Sequence, residues 1–104
     1  MTDISKCNRI SIIGHPGSGK STLAKQLGEI LGLPVWHCDL ILFKPDRTQD
    51  TKAASEEIIQ IASQDKWIIE GTYKRTLEYR FAVSDVVIYL NFTEDFCLQS
   101  IMDR

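Results

Sequence analysis

The chain has 104 residues, 43% hydrophobic and 25% charged. That is the composition of one globular domain, and it excludes both global disorder and a pair of ordinary domains. Lys and Arg total 12 against 14 for Asp and Glu, a net charge of −2, whereas a nucleic-acid binder or a polybasic membrane anchor shows the opposite balance. Cys7, Cys38 and Cys97 are scattered, odd in number and form no C-x-x-C pair. They argue against a zinc site or a disulfide framework and for reduced thiols in a cytoplasmic protein. Residues 1–9 hold no apolar h-region, and no stretch reaches the ~18 apolar residues of a membrane span.

In chain order, residues 9–13 are short, apolar and β-branched and stop at Gly14, which predicts a buried strand. From residue 20 to 31 the apolar side chains Leu23, Ala24, Leu27, Ile30 and Leu31 fall at helical spacing, with Gly32 at the C′ position and Pro34 beyond it. Residues 34–39 read as a second strand, and 40–50 as a loop or irregular arm. A second helix starts near Asp50 or Thr51, with Ala54, Ile58, Ile61 and Ala62 on one face. Residues 67–70 form a third strand closed by Gly71, 74–82 are weakly helical, and 86–92 form a fourth strand. Thr93 is placed to N-cap a last helix, with Glu94 and Asp95 in its first turn and Cys97, Leu98, Ile101 and Met102 on its apolar face. Strands alternating with helices imply a parallel α/β sheet with right-handed crossovers. Apolar strands without alternation fit a sheet covered on both faces.

The most specific signal is Gly14-His15-Pro16-Gly17-Ser18-Gly19-Lys20-Ser21, a full G-x-x-x-x-G-K-[ST] motif between a predicted strand and a predicted helix. Its glycines let the backbone wrap a phosphate with N–H groups turned inward. The following helix adds unpaired N–H donors and the positive end of its dipole. Lys20 supplies a point charge between the β- and γ-phosphates, Ser21 a hydroxyl for Mg²⁺, and Thr22 a hydroxyl near the α-phosphate. The bland alternative is a Gly-rich turn with an incidental lysine.

The remaining candidates are weaker. Glu70 ends an I-I-E strand, where an acid can serve as the metal-side carboxylate of a P-loop site; the alternative is an exposed strand-end acid. Asp39, at the predicted end of the second strand, is placed to meet an acceptor or the metal, or serves as a turn or cap residue. His37 and Cys38 are neighbours on a strand and point to opposite faces, so His37 reads as a core or edge histidine. His15 occupies a variable position of the loop. Arg75 and Arg80 follow the third strand as binders of an anionic acceptor or as solvated charge. Arg80 is favoured because Leu77 and Phe81 would anchor its segment. Trp36 and Trp67 read as core aromatics.

Several stretches resemble one family: residues 37–39 (H-C-D), 67–73 (W-I-I-E-G-T-Y), 75–77 (R-T-L) and 85–90 (D-V-V-I-Y-L). They are similar to the DNA topology modulation (FlaR-type) proteins, P-loop proteins related to adenylate and shikimate kinases. The resemblance runs over nearly the whole chain. Members usually carry Asp-Gly-Asn where this sequence has Glu70-Gly71-Thr72. They also continue past the last helix into an arginine-bearing lid and a fifth strand, whereas this sequence stops at Arg104. The resemblance therefore implies a single partial domain over residues 1–104 with a four-strand sheet of order 2-3-1-4. It lacks the usual fifth strand, and the open edge favours a homodimer.

Together these readings predict an ATP- and Mg²⁺-binding P-loop protein of the nucleoside or small-molecule kinase type. It would transfer the γ-phosphoryl group to a small acceptor when complete, with weak turnover in a chain that has no lid. Lys20, Glu70, Asp39 and Arg80 are the catalytic candidates. Residues Gly14 through Thr22 bind the nucleotide, and Ser21, Glu70 and Asp39 hold the metal. The alternative is a non-catalytic nucleotide-binding regulator linked to DNA topology.

Overall fold

In the computed structural model, residues 4–14, 19–42, 51–91 and 97–103 are described. The elements are β1 (Arg9–Gly14), α1 (Lys20–Leu31), β2 (Val35–His37), α2 (Cys38–Leu42), α3 (Thr51–Ala62), β3 (Trp67–Glu70), α4 (Lys74–Val83), β4 (Val86–Asn91) and β5 (Cys97–Asp103). The sheet order is β2-β3-β1-β4-β5. The first four strands are parallel, so the predicted 2-3-1-4 order holds.

Strand alternation divides the core into two layers. On one face Ile10, Ile12, Ile68, Val86, Ile88 and Leu90 pack with Ala24 of α1, flanked by Leu23, Leu27 and Leu31. On the other, Trp67 and Ile69 meet Ala54, Ile58, Ile61 and Ala62, the face predicted for α3. Each layer removes one side of every central strand from water, which is why the strands are apolar without alternation. Trp67 is a core aromatic whose Nε1 donates to Ala62 O at 3.1 Å. Gly32 ends α1 with φ +70° and donates to Gly28 O at 2.9 Å, the C′ role its position predicts.

Two segments depart from expectation. The second strand ends at His37 rather than Asp39, because its ladder runs out: the last pair of β2 with β3 is His37 with Glu70. Cys38 and Asp39 therefore open α2 within the stretch read as strand and loop. The second departure is at the C-terminal end, where residues 97–103 are an antiparallel strand on β4, not a helix. The outer edge of β4 offers a row of backbone donors and acceptors, and pairing them outweighs a local helical spacing. The sheet thus has five strands, and the edge of β4 expected to be open, and to drive dimerisation, is occupied by β5. The side-chain roles read for Cys97 and Met102 lie outside the described residues. Among the described residues no helix is long and apolar enough to cross a membrane.

Candidate functional site

The C-terminal ends of the parallel strands open into a cleft of about 1010 Å³, the place where open α/β sheets bind ligands. One wall comes from the glycine-rich motif. Gly14 ends β1, and Gly19, left-handed at φ 90°, is the N-cap of α1. Among the described residues no side chain caps that helix, so its first amides remain donors for an anion. Lys20 and Ser21 open the helix and line the cleft with Gly14, Gly19 and Lys25. Thr22 is exposed in the same turn. His15, Pro16, Gly17 and Ser18 lie outside the described residues.

The opposite wall is acidic. Glu70 ends β3 and is only 5% exposed, yet it lines the cleft. It is neither solvated nor free: His37 Nδ1 donates to Glu70 Oε2 at 2.6 Å. Ser21 Oγ lies 3.4 Å from the same nitrogen. Ser21, His37 and Glu70 thus form one continuous polar run from the phosphate-side wall to the acidic wall. Asp39 lines the cleft from the first turn of α2 and is exposed. Leu40, Leu42 and Tyr73 complete the lining with apolar surface, and Tyr73 is tied to α3 by a 2.9 Å bond between its hydroxyl and Ser55 Oγ.

The base of the loop is fixed from the side. Thr72 Oγ1 donates to Gly14 O at 3.0 Å and is the acceptor for Gly14 N at 3.1 Å. The one hydroxyl of Thr72 performs both halves of that contact.

Sequence reasoning placed Lys20, Ser21, Glu70 and Asp39 on this cleft, and the structure brings all four together. It does not do so for Arg80. That side chain is wholly buried and does not line the cleft. Its Nη1 donates to Gly71 O at 2.8 Å and its Nη2 to Ile69 O at 3.2 Å. A guanidinium sealed beneath the strand end has no path to an acceptor, so its expected role in binding one is withdrawn. Arg75 stays exposed outside the lining. Sequence reasoning missed His37, taken for a core or edge histidine, and Thr72. The signal for both was present: each stands at or beside the C-terminal end of a strand whose neighbour carries a site residue.

Burial also acts on a thiol beneath the acidic wall. Cys38, 1% exposed, has its pKa pushed up by desolvation, with Arg80 opposing and Glu70 and Asp39 adding to the rise. Cys38 remains a neutral thiol, inert as a nucleophile or ligand at neutral pH.

No protein-family model matches the chain, and no curated protein does. Solved structures do. The chain is similar to the shikimate kinase of Aquifex aeolicus vf5, with TM-score 0.63 and 18% identity over 79% of this chain and 62% of that one. The shikimate kinase of Bacteroides thetaiotaomicron gives TM-score 0.65 and 20% identity, over 82% of this chain and 57% of that one. The shikimate kinase of Acinetobacter baumannii, solved in complex with shikimate, gives 0.62 and 18%, over 86% and 59%. Fold and loop together define an α/β protein of the P-loop kinase fold. The chain spans roughly three fifths of the length of these structures.

Proposed function

We propose that this chain is the nucleotide-binding part of a small-molecule kinase. It takes ATP with Mg²⁺ and, when complete, transfers the γ-phosphoryl group to a small hydroxylated acceptor. The carrying observation is that Lys20 and Ser21, at the open N-terminus of α1, line one cleft with Glu70 and Asp39. A cationic, donor-rich wall facing a pair of acids is the division of labour that phosphoryl transfer uses.

The donor set suits a hard divalent cation, being a hydroxyl and two carboxylates, all oxygen. Ser21, Glu70 and Asp39 are the residues that would hold Mg²⁺. The metal supplies neutralisation of charge on the phosphate oxygens. The chain's own residues do the rest. Backbone amides at the start of α1 donate to the phosphate oxygens, and Lys20 places a positive charge among them. The 2.6 Å bond from His37 holds the Glu70 carboxylate toward Ser21, so the two are pre-oriented before ligand arrives. Asp39, Leu40, Leu42 and Tyr73 form the surface on which an acceptor with an apolar body and a hydroxyl group rests.

The resemblance to FlaR-type proteins supports the same reading, because two of the segments it rests on, the 37–39 run and the 67–73 run, supply residues of this cleft. Titration calorimetry of the chain with ATP, with and without Mg²⁺, tests the reading. Binding strengthened by Mg²⁺ is expected, and an absence of binding in both conditions would overturn it.

A further inference from the structure

Arg80 is fully buried, on α4, away from the cleft. Removing a guanidinium from water is costly unless its donors are satisfied. Here they are spent on one feature. Nη1 and Nη2 reach Gly71 O at 2.8 Å and Ile69 O at 3.2 Å, the carbonyls of the residues that follow and precede Glu70. Nη1 also lies 3.6 Å from Cys38 Sγ, and Cys38 separates His37 from Asp39. Nε is left without a partner among the described residues.

The surroundings make this grip tight. Gly71 has φ +128°, and a Cβ there would stand 2.6 Å from Cys38 Cβ, so the strand end and the start of α2 are in close backbone contact. Gly71 N donates to Ile12 O at 2.8 Å. At the other end of the arginine, Ser84 N and Oγ both donate to Arg80 O, at 2.9 and 2.5 Å, and Ser84 Oγ lies 2.7 Å from Ser11 Oγ on β1. The guanidinium therefore reaches the metal-side strand end from a segment anchored to the central strand.

We propose that Arg80 is the positioning residue of the metal side of the cleft: its planar fork clamps the carbonyls of the two residues that flank Glu70 and braces Cys38, setting the Glu70 carboxylate and the His37–Asp39 turn in register with Ser21. The proposal rests on the functional reading above and extends it to a residue that touches neither nucleotide nor metal. A fork with two parallel donors suits two carbonyls, whereas a lysine ammonium is a point donor and cannot hold both in the same geometry. Burial lowers the Arg80 pKa, and the Glu70 charge opposes that shift, so the guanidinium is also electrostatically coupled to the carboxylate it positions.

The test compares wild type, Arg80→Lys and Arg80→Met by calorimetry with ATP, in chelator and in excess Mg²⁺, alongside melting temperatures. A residue that orients a metal-side carboxylate should leave metal-free ATP affinity unchanged in Arg80→Lys. The Mg²⁺-dependent gain should fall roughly tenfold or more, and further in Arg80→Met. A folded Arg80→Lys with the wild-type Mg²⁺ gain, or with both affinities falling together, would overturn the proposal. A second measurement needs no variant: in the wild-type protein, the Arg80 guanidinium NMR signals should shift when Mg²⁺ is added to the ATP complex, and signals that do not move would also overturn it. Wild type that binds no ATP in either condition refutes the functional reading itself, and this inference with it.

Discussion

Thr72 and Gly14 are joined twice through a single hydroxyl, Oγ1 donating to Gly14 O at 3.0 Å and accepting from Gly14 N at 3.1 Å. Gly14 is the first residue of the phosphate-loop motif, so this contact fixes the base of the loop to the end of β3. Thr72→Val keeps the shape and removes both bonds. With a net worth of about 1 kcal/mol per hydrogen bond and a larger penalty for groups left unpaired, the variant should lose about 1–3 kcal/mol. For a domain of this size that is a fall in melting temperature of roughly 4–8 °C for each kcal/mol. Thr72→Ser retains the hydroxyl and should match wild type. Equal melting temperatures for the two variants would show that the contact contributes nothing.

Lys20 is partly exposed at the start of α1 and lines the cleft, so its charge is available to a ligand without being part of the core. Lys20→Ala should therefore leave the melting temperature close to wild type. It removes charge-assisted contacts worth about 1.5–3 kcal/mol, so ATP affinity should drop about ten- to a hundredfold. Calorimetry that finds unchanged affinity would remove Lys20 from the site.

The pair His37–Glu70 separates orientation from charge. Glu70→Gln keeps an oxygen acceptor for His37 but removes the carboxylate charge that a divalent cation needs. The Mg²⁺-dependent gain in ATP affinity should fall roughly 10–100-fold, with metal-free affinity retained. Because Glu70 is 5% exposed and hydrogen-bonded, a change in melting temperature is expected too, unlike that of an acid on an exposed strand end. A loss of affinity that is the same with and without Mg²⁺ would make Glu70 a structural residue only.

Much of this arrangement was legible in the sequence because local pattern and global fold agree there. The apolar runs at 9–13, 67–69 and 86–90 read as buried strands, and the loop motif between strand and helix fixed one wall of the cleft. What escaped depends on pairing. The end of β2 at His37 follows from where β3 stops, and the strand at 97–103 follows from the free edge of β4. The partner of β2 is distant in sequence, and although β4 directly precedes 97–103, it is the unpaired edge of β4 rather than the local apolar spacing that decides the pairing. Arg80 illustrates the same limit for a side chain. Its apolar neighbours signalled an anchored segment, but whether the guanidinium faces the cleft or the interior depends on the tilt of α4 against β3, which no local pattern encodes.

The buried thiol beneath the acidic wall gives a prediction in pH. Desolvation raises the Cys38 pKa above the ordinary 9.0, so the folded state holds the proton at pH values where the unfolded chain has lost it. The sign follows from linkage: above pH 9.0 the unfolded state binds fewer protons than the folded one, and stability falls as pH rises. The stabilisation is fully present below 9.0 and is lost as pH climbs toward and through the folded value. At its steepest, one thiol contributes about 1.4 kcal/mol per pH unit. The wild-type slope alone does not isolate Cys38. Cys38→Ser does, since it removes that titration and leaves the others. Its contact with Arg80 changes as well, but that offset is the same at every pH and does not alter the slope. Thermal melts from about pH 8 to about pH 10.5 should therefore show wild type falling more steeply than Cys38→Ser. Parallel curves would mean that the thiol ionises as readily in the folded chain as in the unfolded one, and that the Cys38–Arg80 contact is reached by solvent.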